Sequence, residues 1–584
     1  MSKPPVSLRS SIGWAQTWVL ANLVLAPFLF GCVEPWSRAA LEVSWFALAA
    51  GILVFQPGAS KIPPAALGAF ALAGIGWLQV RHPAGALTPA AGFTTVAGWA
   101  TAREALLWAA YGTAAWAAAR TTTGRGAMRR AVWALYIAGV AFAALGLSQA
   151  GQGNRFIYWL REVPARFQAF GPYYYKNHAG GFLAVGICLG AGLVASRAAV
   201  FGRKRSVGAL ANFWSGQAVL IAGVVLMMVG SYVSRSRGAF HALLGGIGTA
   251  GLAAVFLFAG RRSRKYWLTA LALGVLGYMT LLINFPWLAS MSEQGVVGSG
   301  LSRVEIWEDT VRMLRARPFW GYGLGGFADA FLAYQTHMAG LLVAHAHGEW
   351  LELLVTGGVP GLALFLGGVI GQLAVALYAW RRWTDPEVRW LIAGLVAACV
   401  AFALHALMEL NFQAPASMAV FMAILVLPSP PLPSEGQKPG WGWTRVASFG
   451  LALAMLWGAA TATRAGIGWW LSSRADSAGR RDRVALYERA LEFDPGNPEY
   501  ARAAAVGNLW LGEDAGSGRR AFAARALAAA DAGLALTPDH AGLLEAKGTA
   551  VWWLGDRKTG EALINRAHGM RPEPEKTGRT RGRK

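Results

Sequence analysis

Apolar runs long enough to cross a bilayer recur along this chain and constrain its fold more than any other feature. A hydrocarbon core about 30 Å thick needs roughly 20 helical residues, and helices satisfy their own backbone hydrogen bonds there. The runs lie at 12–30, 40–56, 62–80, 104–120, 131–150, 178–200, 216–233, 238–260, 266–285, 353–380, 390–410, 416–428 and 446–466. The pattern predicts an all-α polytopic membrane protein with about 12–13 transmembrane helices, the twelfth run being short enough to be re-entrant.

Composition supports the membrane class and excludes several others. The 584 residues are 55% hydrophobic and only 14% charged, which is too little charge for a soluble protein of this length. We attribute the net charge of +23 to membrane topology and expect no nucleic-acid partner. Cys32, Cys188 and Cys399 are scattered among apolar stretches, so neither a disulfide framework nor a zinc site follows. The first run leads straight into the second and is interpreted as an anchor.

Loop charges predict the orientation. Four loops carry basic clusters with few acids, at 120–130, 197–205, 261–265 and 381–389. Short cytoplasmic loops are enriched in Lys and Arg, so we place these four inside, together with the N-terminus. The loop 286–352 is then outside. Thirteen spans put the C-terminal region outside and twelve put it inside; we favour outside.

Four regions are predicted along the chain. N-terminal transmembrane helices occupy 1–150, a membrane domain with the loop 286–352 occupies 151–430, and a linker with the last span occupies 431–468. Residues 469–584 form a charged, Ala-rich helical domain with a basic tail. Its YERALEFDPGNPEY and ALTPDH segments resemble tetratricopeptide junctions, and Pro538 and Pro572 are separated by the 34-residue period of that repeat.

Two arginines stand out because they lie on the predicted outer face. Arg235 and Arg237 sit in SYVSRSRGAF, a tight connection between two apolar runs. Two guanidinium groups at that depth are costly unless an anion meets them, and guanidinium groups bind phosphate oxygens in bidentate fashion. The alternative is that both side chains snorkel to lipid headgroups.

The outer loop carries the most specific pattern in the chain. It contains Arg303-x3-Trp307, then Pro-x2-Gly-x-Gly-x-Gly-x-Phe from Pro318, then His347-x10-Gly358 followed by Gly361. This order resembles the O-antigen ligase/polymerase superfamily. The resemblance covers about 160–430, and the Ser-Arg-x-Arg-Gly-Ala element at 234–239 belongs to it. It implies a glycosyltransferase C-like membrane fold with an outer lateral cavity.

A second stretch, RFQAFGPYYYKNHAGG at 166–181, resembles the family's Gly-Pro-Phe-x-Asn-x-Asn-His element. Asn177 and His178 match, whereas Tyr175 and Lys176 stand where Asn and Arg are common. The resemblance implies substrate binding here, and we predict it for Arg166, Lys176, Asn177, His178 and, in the loop, Arg303. The alternatives are an ordinary helix start with Asn177 as N-cap and, for Arg303, an amphipathic interfacial helix.

The histidines of the loop have three interpretations. The resemblance implies that His347 assists activation of an acceptor hydroxyl, and a neutral imidazole suits that proton transfer. A structural role at a helix start is the second. A metal site that includes His345 and Glu349 is the third, although no HExxH motif is present. Gly348 and Glu349 stand where the family commonly has Asn-Asp.

The resemblance implies transfer of a glycan from undecaprenyl diphosphate to a lipid, glycan or protein acceptor on the periplasmic face of the bacterial inner membrane. Arg235, Arg237 and His347 are the predicted catalytic residues, with no metal or cofactor. Ligase, polysaccharide polymerase and protein O-oligosaccharyltransferase activities stay open, as does a transporter of the same superfamily. Membrane lipids are expected partners, and the repeat domain suggests a protein partner.

Overall fold

The structure, a computed structural model, describes most of the chain. The described residues are 6–56, 62–88, 92–122, 124–151, 155–164, 168–201, 207–258, 299–337, 342–429 and 443–570, with a few positions between 260 and 276. Arg166 lies outside them, as do most of the predicted span 266–285 and the repeat position Pro572.

The described residues are overwhelmingly helical. The helices of the first half are α1 (Val6–Leu25), α2 (Pro35–Phe55), α3 (Pro64–Val80), α4 (Gly98–Thr121), α5 (Arg125–Ala150), α6 (Lys176–Phe201), α7 (Val207–Val233) and α8 (Arg237–Phe258). Those of the second half are α9 (Ser299–Ala316), α10 (Phe327–Phe331), α11 (Glu349–Arg382), α12 (Pro386–His405), α13 (Pro415–Val426), α14 (Trp443–Ala475), α15 (Arg480–Phe493), α16 (Pro498–Glu513), α17 (Arg519–Leu534), α18 (Ala541–Leu554) and α19 (Arg557–Gly569). Strands β1 (Phe156–Ile157) and β2 (Arg161–Glu162) form a short antiparallel hairpin.

Within the described residues, eight helices are long and apolar enough to cross a membrane, and α3 and α13 are shorter apolar helices. The prediction of an all-α polytopic membrane protein is therefore confirmed. The predicted run 12–30 is wrong at its end. Helix α1 stops at Leu25, and two short 3₁₀ turns follow because Pro27 interrupts the ladder and Phe30, Gly31 and Cys32 all have positive φ.

The chain forms two compact units. The first comprises Met1–Phe70, Leu107–Val297 and Leu364–Ala460. Helix α6 is buried along most of its length and packs against α12. Small residues allow this approach: a Cβ on Gly192 would lie 3.0 Å from the Gly394 Cα atom. At one end of the unit, Arg125 forms ion pairs with Asp385 at 2.8 Å and with Glu387. Two loops predicted to be cytoplasmic therefore meet.

The second unit comprises Ala71–Leu106, Gly298–Ala363 and Thr461–Lys584. One hydrophobic cluster joins the segment before α4 to the loop around α9 and α10, through Val96, Ile306, Tyr322 and Phe331 among others. Helices α15 to α19 are short amphipathic helices of 13–16 residues, packed on their neighbours in sequence. Their alanine-rich cluster includes Ala504, Ala530 and Leu543. That these helices are tetratricopeptide repeats stays a prediction.

Turns of this helical domain contact the first residues of α4 and the segment that precedes it. The Trp99 indole N–H donates to the Asp494 carboxylate over 2.9 Å, and the Gly98 N–H donates to the Leu536 carbonyl over 2.6 Å. Ala86 N–H also donates to Asp539 over 3.3 Å. Asp494 and Asp539 both belong to the Asp-Pro and Pro-Asp junctions singled out in the sequence, so these junctions serve as contact points within the second unit.

Candidate functional site

Three of the predicted site residues form a cationic cluster in the first unit. Lys176 is the first residue of α6, Arg237 is the first residue of α8, and Arg235 lies in the three-residue connection before α8. Lys176 is within electrostatic range of both arginines and of Glu409. Among the described residues, the charged groups that act on Lys176 are therefore two cations and one carboxylate. Such an excess of positive charge is suited to a multivalent anion.

The connection between α7 and α8 is fixed by local hydrogen bonds and leaves the Arg235 side chain exposed. The Arg235 backbone N–H donates to the Tyr232 carbonyl over 3.0 Å, and the Ser234 hydroxyl donates to the Ser231 carbonyl over 2.7 Å. Arg235 has φ of +56°, which is uncommon for a residue other than glycine. Its side chain is exposed, and it forms no ion pair or side-chain hydrogen bond with any residue that the structure describes. The guanidinium group is therefore available to an external anion.

Two residues beside this cluster, His405 and Glu409, were not predicted from the sequence. His405 and Glu409 are buried, and the His405 Nδ1 atom lies 2.9 Å from the Asn411 Oδ1 atom. A Cβ on Gly181 would lie 2.7 Å from His405 Nδ1, and one on Gly238 would lie 3.5 Å from the Glu409 side chain. These polar residues could have been found, because HALMELN ends an apolar run and ionisable groups at membrane depth are functional candidates.

The neighbouring predicted residues have local roles in the structure. The alternative role of Asn177 as an N-cap is not observed, because α6 already begins at Lys176; the Asn177 side-chain amide donates to the Tyr175 hydroxyl over 2.9 Å. Substrate binding by Asn177 stays a prediction. His178 packs against the Tyr175 ring at 5.1 Å between centroids. Lys176 donates to the Gln168 side chain over 2.7 Å. Arg166 cannot be placed, since it lies outside the described residues.

In the second unit, helix α11 is broken at the glycine of the His-x10-Gly pattern. Gly358 has φ of +72° and ψ of 178°, a conformation that is essentially restricted to glycine. The break leaves the carbonyls of Val355 and Thr356 without partners in the helix. Tyr322 and Gly323 N–H groups donate to them, each over 3.0 Å. A buried glutamine, Gln79, also donates to the Thr356 carbonyl over 3.0 Å.

The glycine cluster of the loop is what allows this contact. Gly321, Gly323 and Gly325 all have positive φ. A Cβ on Gly321 would lie 2.4 Å from the Thr356 carbonyl oxygen, and one on Gly323 would lie 2.2 Å from the Thr95 hydroxyl. These glycines therefore form a tight turn in which the backbone approaches its neighbours closely. The turn fixes the loop against α11.

His347 lies just before α11 and not within it. Its φ is +51°, and α11 starts two residues later at Glu349. The preceding residues are firmly held: the His345 Nδ1 atom lies 3.0 Å from Glu352 Oε1, and Ala346 N–H donates to Glu352 Oε2 over 2.8 Å. The imidazole of His347 is half-buried. His347 therefore lies at the start of the span, and its role in activating an acceptor stays a prediction.

The charge of His345 is set by the surrounding carboxylates. Burial lowers the pKa of this imidazole, but the charge and hydrogen bond of Glu352, together with Glu349 and Glu104, raise it to about 9. His345 is consequently protonated at neutral pH and acts as an ionic partner. Within the part of the chain that the structure describes, no group of three His, Cys, Asp or Glu side chains is arranged to hold a metal ion.

Helix α9 carries the Arg303-x3-Trp307 pair. Arg303 is half-buried, and the Trp307 indole N–H donates to the Ala346 carbonyl over 2.8 Å. Asp309 is buried and accepts from the Thr336 and His337 N–H groups over 3.0 and 3.1 Å. These hydrogen bonds offset the desolvation of the carboxyl and keep the pKa of Asp309 below its usual value. Helix α9 thus supports the loop that presents His347.

Two comparisons with known proteins bear on these geometries. Residues 222–366 match a family model described as O-antigen ligase. A Pseudomonas aeruginosa protein named O-antigen ligase is 32% identical over 139 residues, which is 23% of this chain and 31% of that protein. The chain thus matches about a third of the length of this curated relative. The family match contains Arg235, Arg237, His347 and Gly358, and the predicted superfamily is confirmed.

Proposed function

We propose that this member of the O-antigen ligase superfamily transfers a glycan from a polyprenyl diphosphate carrier to an acceptor hydroxyl at the outer face of the membrane. The observation that carries the proposal is the cluster of Lys176, Arg235 and Arg237, on which Glu409 acts as the one carboxylate among the described residues. Two of these cations lie within the family match at 222–366. The proposed carrier is undecaprenyl diphosphate in a bacterial inner membrane.

A diphosphate fits the cluster in charge and in geometry. The diphosphate brings several negative charges and a row of oxygens, and guanidinium groups offer paired donors to such oxygens. Preorganised cations are most effective where charge develops in the transition state. In a glycosyl transfer that charge develops on the departing diphosphate. Arg235, which forms no ion pair with any described residue, is the most available of the three cations.

The proposed step is a single displacement at the anomeric carbon. The acceptor hydroxyl oxygen forms a bond to that carbon, and the bond between the carbon and the diphosphate oxygen breaks. The diphosphate leaves with the bonding electron pair, and the acceptor proton passes to the imidazole of His347. The step needs no oxidant or reductant, and we propose that it is independent of metal.

Several contacts support an outer, periplasmic location for the chemistry. The ion pairs of Arg125 with Asp385 and Glu387 join two basic loops that charge bias assigns to the cytoplasm. Arg237 begins α8 at the opposite end from the basic residues that follow α8 in sequence. With α8 spanning the membrane, the cationic cluster lies at its outer end.

Among acceptors, we favour the ligase interpretation, in which a completed glycan moves to a lipid anchor, because both matches carry that description. A glycan acceptor, as in a polymerase, and a protein acceptor are the alternatives. A partner bound by helices α15 to α19 would be an additional feature and is not needed for the reaction.

Transfer in vesicles tests the proposal. Purified protein is reconstituted with a lipid-diphosphate-linked glycan and an acceptor, and transfer is compared for Arg235→Ala, Arg237→Ala and the corresponding lysine variants. We expect severe loss for alanine and partial recovery for lysine, which lacks the bidentate fork. Arg155→Ala is the matched control, since Arg155 pairs with Glu162 at 2.6 Å on the β-hairpin. Normal transfer in the double alanine variant would leave lipid headgroup binding as the role of both arginines.

A further inference from the structure

We propose that Glu352 is a positioning residue that acts through His347, and that His345 is its ionic partner. The inference rests on the proposed function and deepens it, since it assigns the residues that set the orientation of the acceptor-activating imidazole. Glu352 lies in the first turn of α11 and its side chain is buried. A buried carboxylate at this place requires partners, and it has them on the segment that leads into His347.

Both oxygens of the Glu352 carboxylate are used. One lies 3.0 Å from His345 Nδ1, and the other accepts the Ala346 N–H over 2.8 Å. The Glu352 N–H donates in turn to the Gly348 carbonyl over 2.9 Å. One residue thereby contacts the chain on both sides of His347. Charge-assisted hydrogen bonds of this kind are stronger than neutral ones.

Helix α9 also fixes the backbone next to His347. The carbonyl of Ala346 accepts the Trp307 indole N–H from α9 over 2.8 Å. Both polar backbone atoms of Ala346 are therefore bound by side chains, and the residue itself is fully buried. Since Ala346 and the start of α11 are both held, the backbone angles of His347 determine where its imidazole points.

His347 adopts a backbone conformation that needs such support. Its φ of +51° lies in the left-handed region, which non-glycine residues occupy mainly where the surroundings impose it. Without Glu352 the segment would relax towards ordinary backbone angles. The imidazole would then move away from its position, and a displacement of about 1 Å in a reacting group can cost roughly a hundredfold in rate.

Graded substitutions at Glu352 provide the first test. Glu352→Gln keeps a hydrogen-bond acceptor for Ala346 but loses the ionic partner of His345, whereas Glu352→Ala loses both. In the vesicle assay we expect kcat to fall in that order, by about tenfold and then by up to roughly a hundredfold, with the KM for the lipid-linked donor unchanged. Glu308→Gln is the control, because it removes an exposed carboxylate from the same loop. Wild-type kcat in Glu352→Ala would overturn the proposal.

A double-mutant cycle separates positioning from a direct or merely structural role. If Glu352 acts only through His347, Glu352→Ala should cause no further loss in a His347→Ala background. The proposal would be overturned if the double variant transferred far less glycan than His347→Ala alone. It would also be overturned if thermal unfolding showed that Glu352→Gln does not fold. Full activity of His347→Ala would instead contradict the proposed role of His347 and leave the diphosphate cluster unaffected.

Discussion

A Cβ atom on Gly358 would lie 2.2 Å from the carbonyl oxygen of Phe319. The same carbonyl accepts the Val359 N–H over 3.0 Å. The break in α11 is thus joined directly to the segment that leads into the glycine-rich turn. Gly358 is required for two reasons: its backbone angles suit only glycine, and no room exists for a side chain.

The first prediction follows from that contact. Gly358→Ala should destabilise the second unit by more than the roughly 1–3 kcal/mol expected for backbone strain alone, because the methyl group also displaces Phe319. Glycan transfer should be lost with it. Gly367→Ala in the same helix is the control, since a Cβ there would meet no atom within 4 Å. Thermal unfolding and transfer measured on both variants check the prediction, and equal behaviour would contradict it.

A second prediction concerns pH. Burial lowers the pKa of His345, but the charges of Glu352, Glu349 and Glu104 raise it from 6.5 to about 9. A raised pKa means that the ion pair contributes fully below about pH 6.5 and is lost as the pH rises through about 9. The thermal midpoint of the wild type should therefore fall over this interval more than that of His345→Gln. If the thermal midpoints of the two proteins depended on pH in the same way, the ion pair of His345 would not stabilise the fold.

A third prediction places the loop and the C-terminal helices outside the cytoplasm. Asp494 and Leu536 accept hydrogen bonds from Trp99 and Gly98 at the start of α4. Since α4 ends at the basic loop 120–130, which is predicted to be cytoplasmic, we expect the helical domain on the opposite side. Reporter fusions after Gly340 and after Ala524 should be active only with an exported reporter. A fusion after Arg382 is the control and should behave in the opposite way. If the fusion after Ala524 were active only with a cytoplasmic reporter, the chain would have twelve spans and not thirteen.

The fourth prediction concerns the two loop histidines. His347→Ala should lower transfer by about a hundred- to ten-thousand-fold, the usual contribution of general base catalysis, with donor binding nearly intact. His345→Ala should be milder, because His345 acts through Glu352. Transfer by each variant should be measured with and without EDTA. If both substitutions behave alike and EDTA also inactivates the wild type, a metal site would replace the proposed general base.

Most of the membrane architecture could be predicted from the sequence, because hydropathy directly reflects the lipid environment. The run at 131–150 corresponds to α5 at Arg125–Ala150, and the run at 104–120 to α4 at Gly98–Thr121. The helices extend beyond the runs at their polar ends. Hydropathy marks only the part of a helix inside the bilayer, whereas helical hydrogen bonding continues into the loops.

Less of the candidate site could be predicted from the sequence. The motif located Gly358, but its contact with Phe319 depends on how the loop folds back, which no local pattern encodes. The predicted run 390–410 contains His405 and Glu409, although ionisable residues there signal a site. The contact between His345 and Glu352 is not encoded by helical spacing, because His345 precedes the helix and the two side chains meet across its N-terminal turn.

The glycan profile of a strain that lacks this protein tests the central claim most directly. The size of the glycan and the molecule that anchors it should be measured in the deletion strain and in strains complemented with the wild type or Arg237→Ala. Transfer by a ligase predicts that polymerised glycan accumulates on the lipid diphosphate carrier and disappears from the acceptor, in the deletion strain and in the Arg237→Ala strain alike. Acceptors that carry single repeats would indicate a polymerase. An unchanged profile would contradict glycan transfer by this protein.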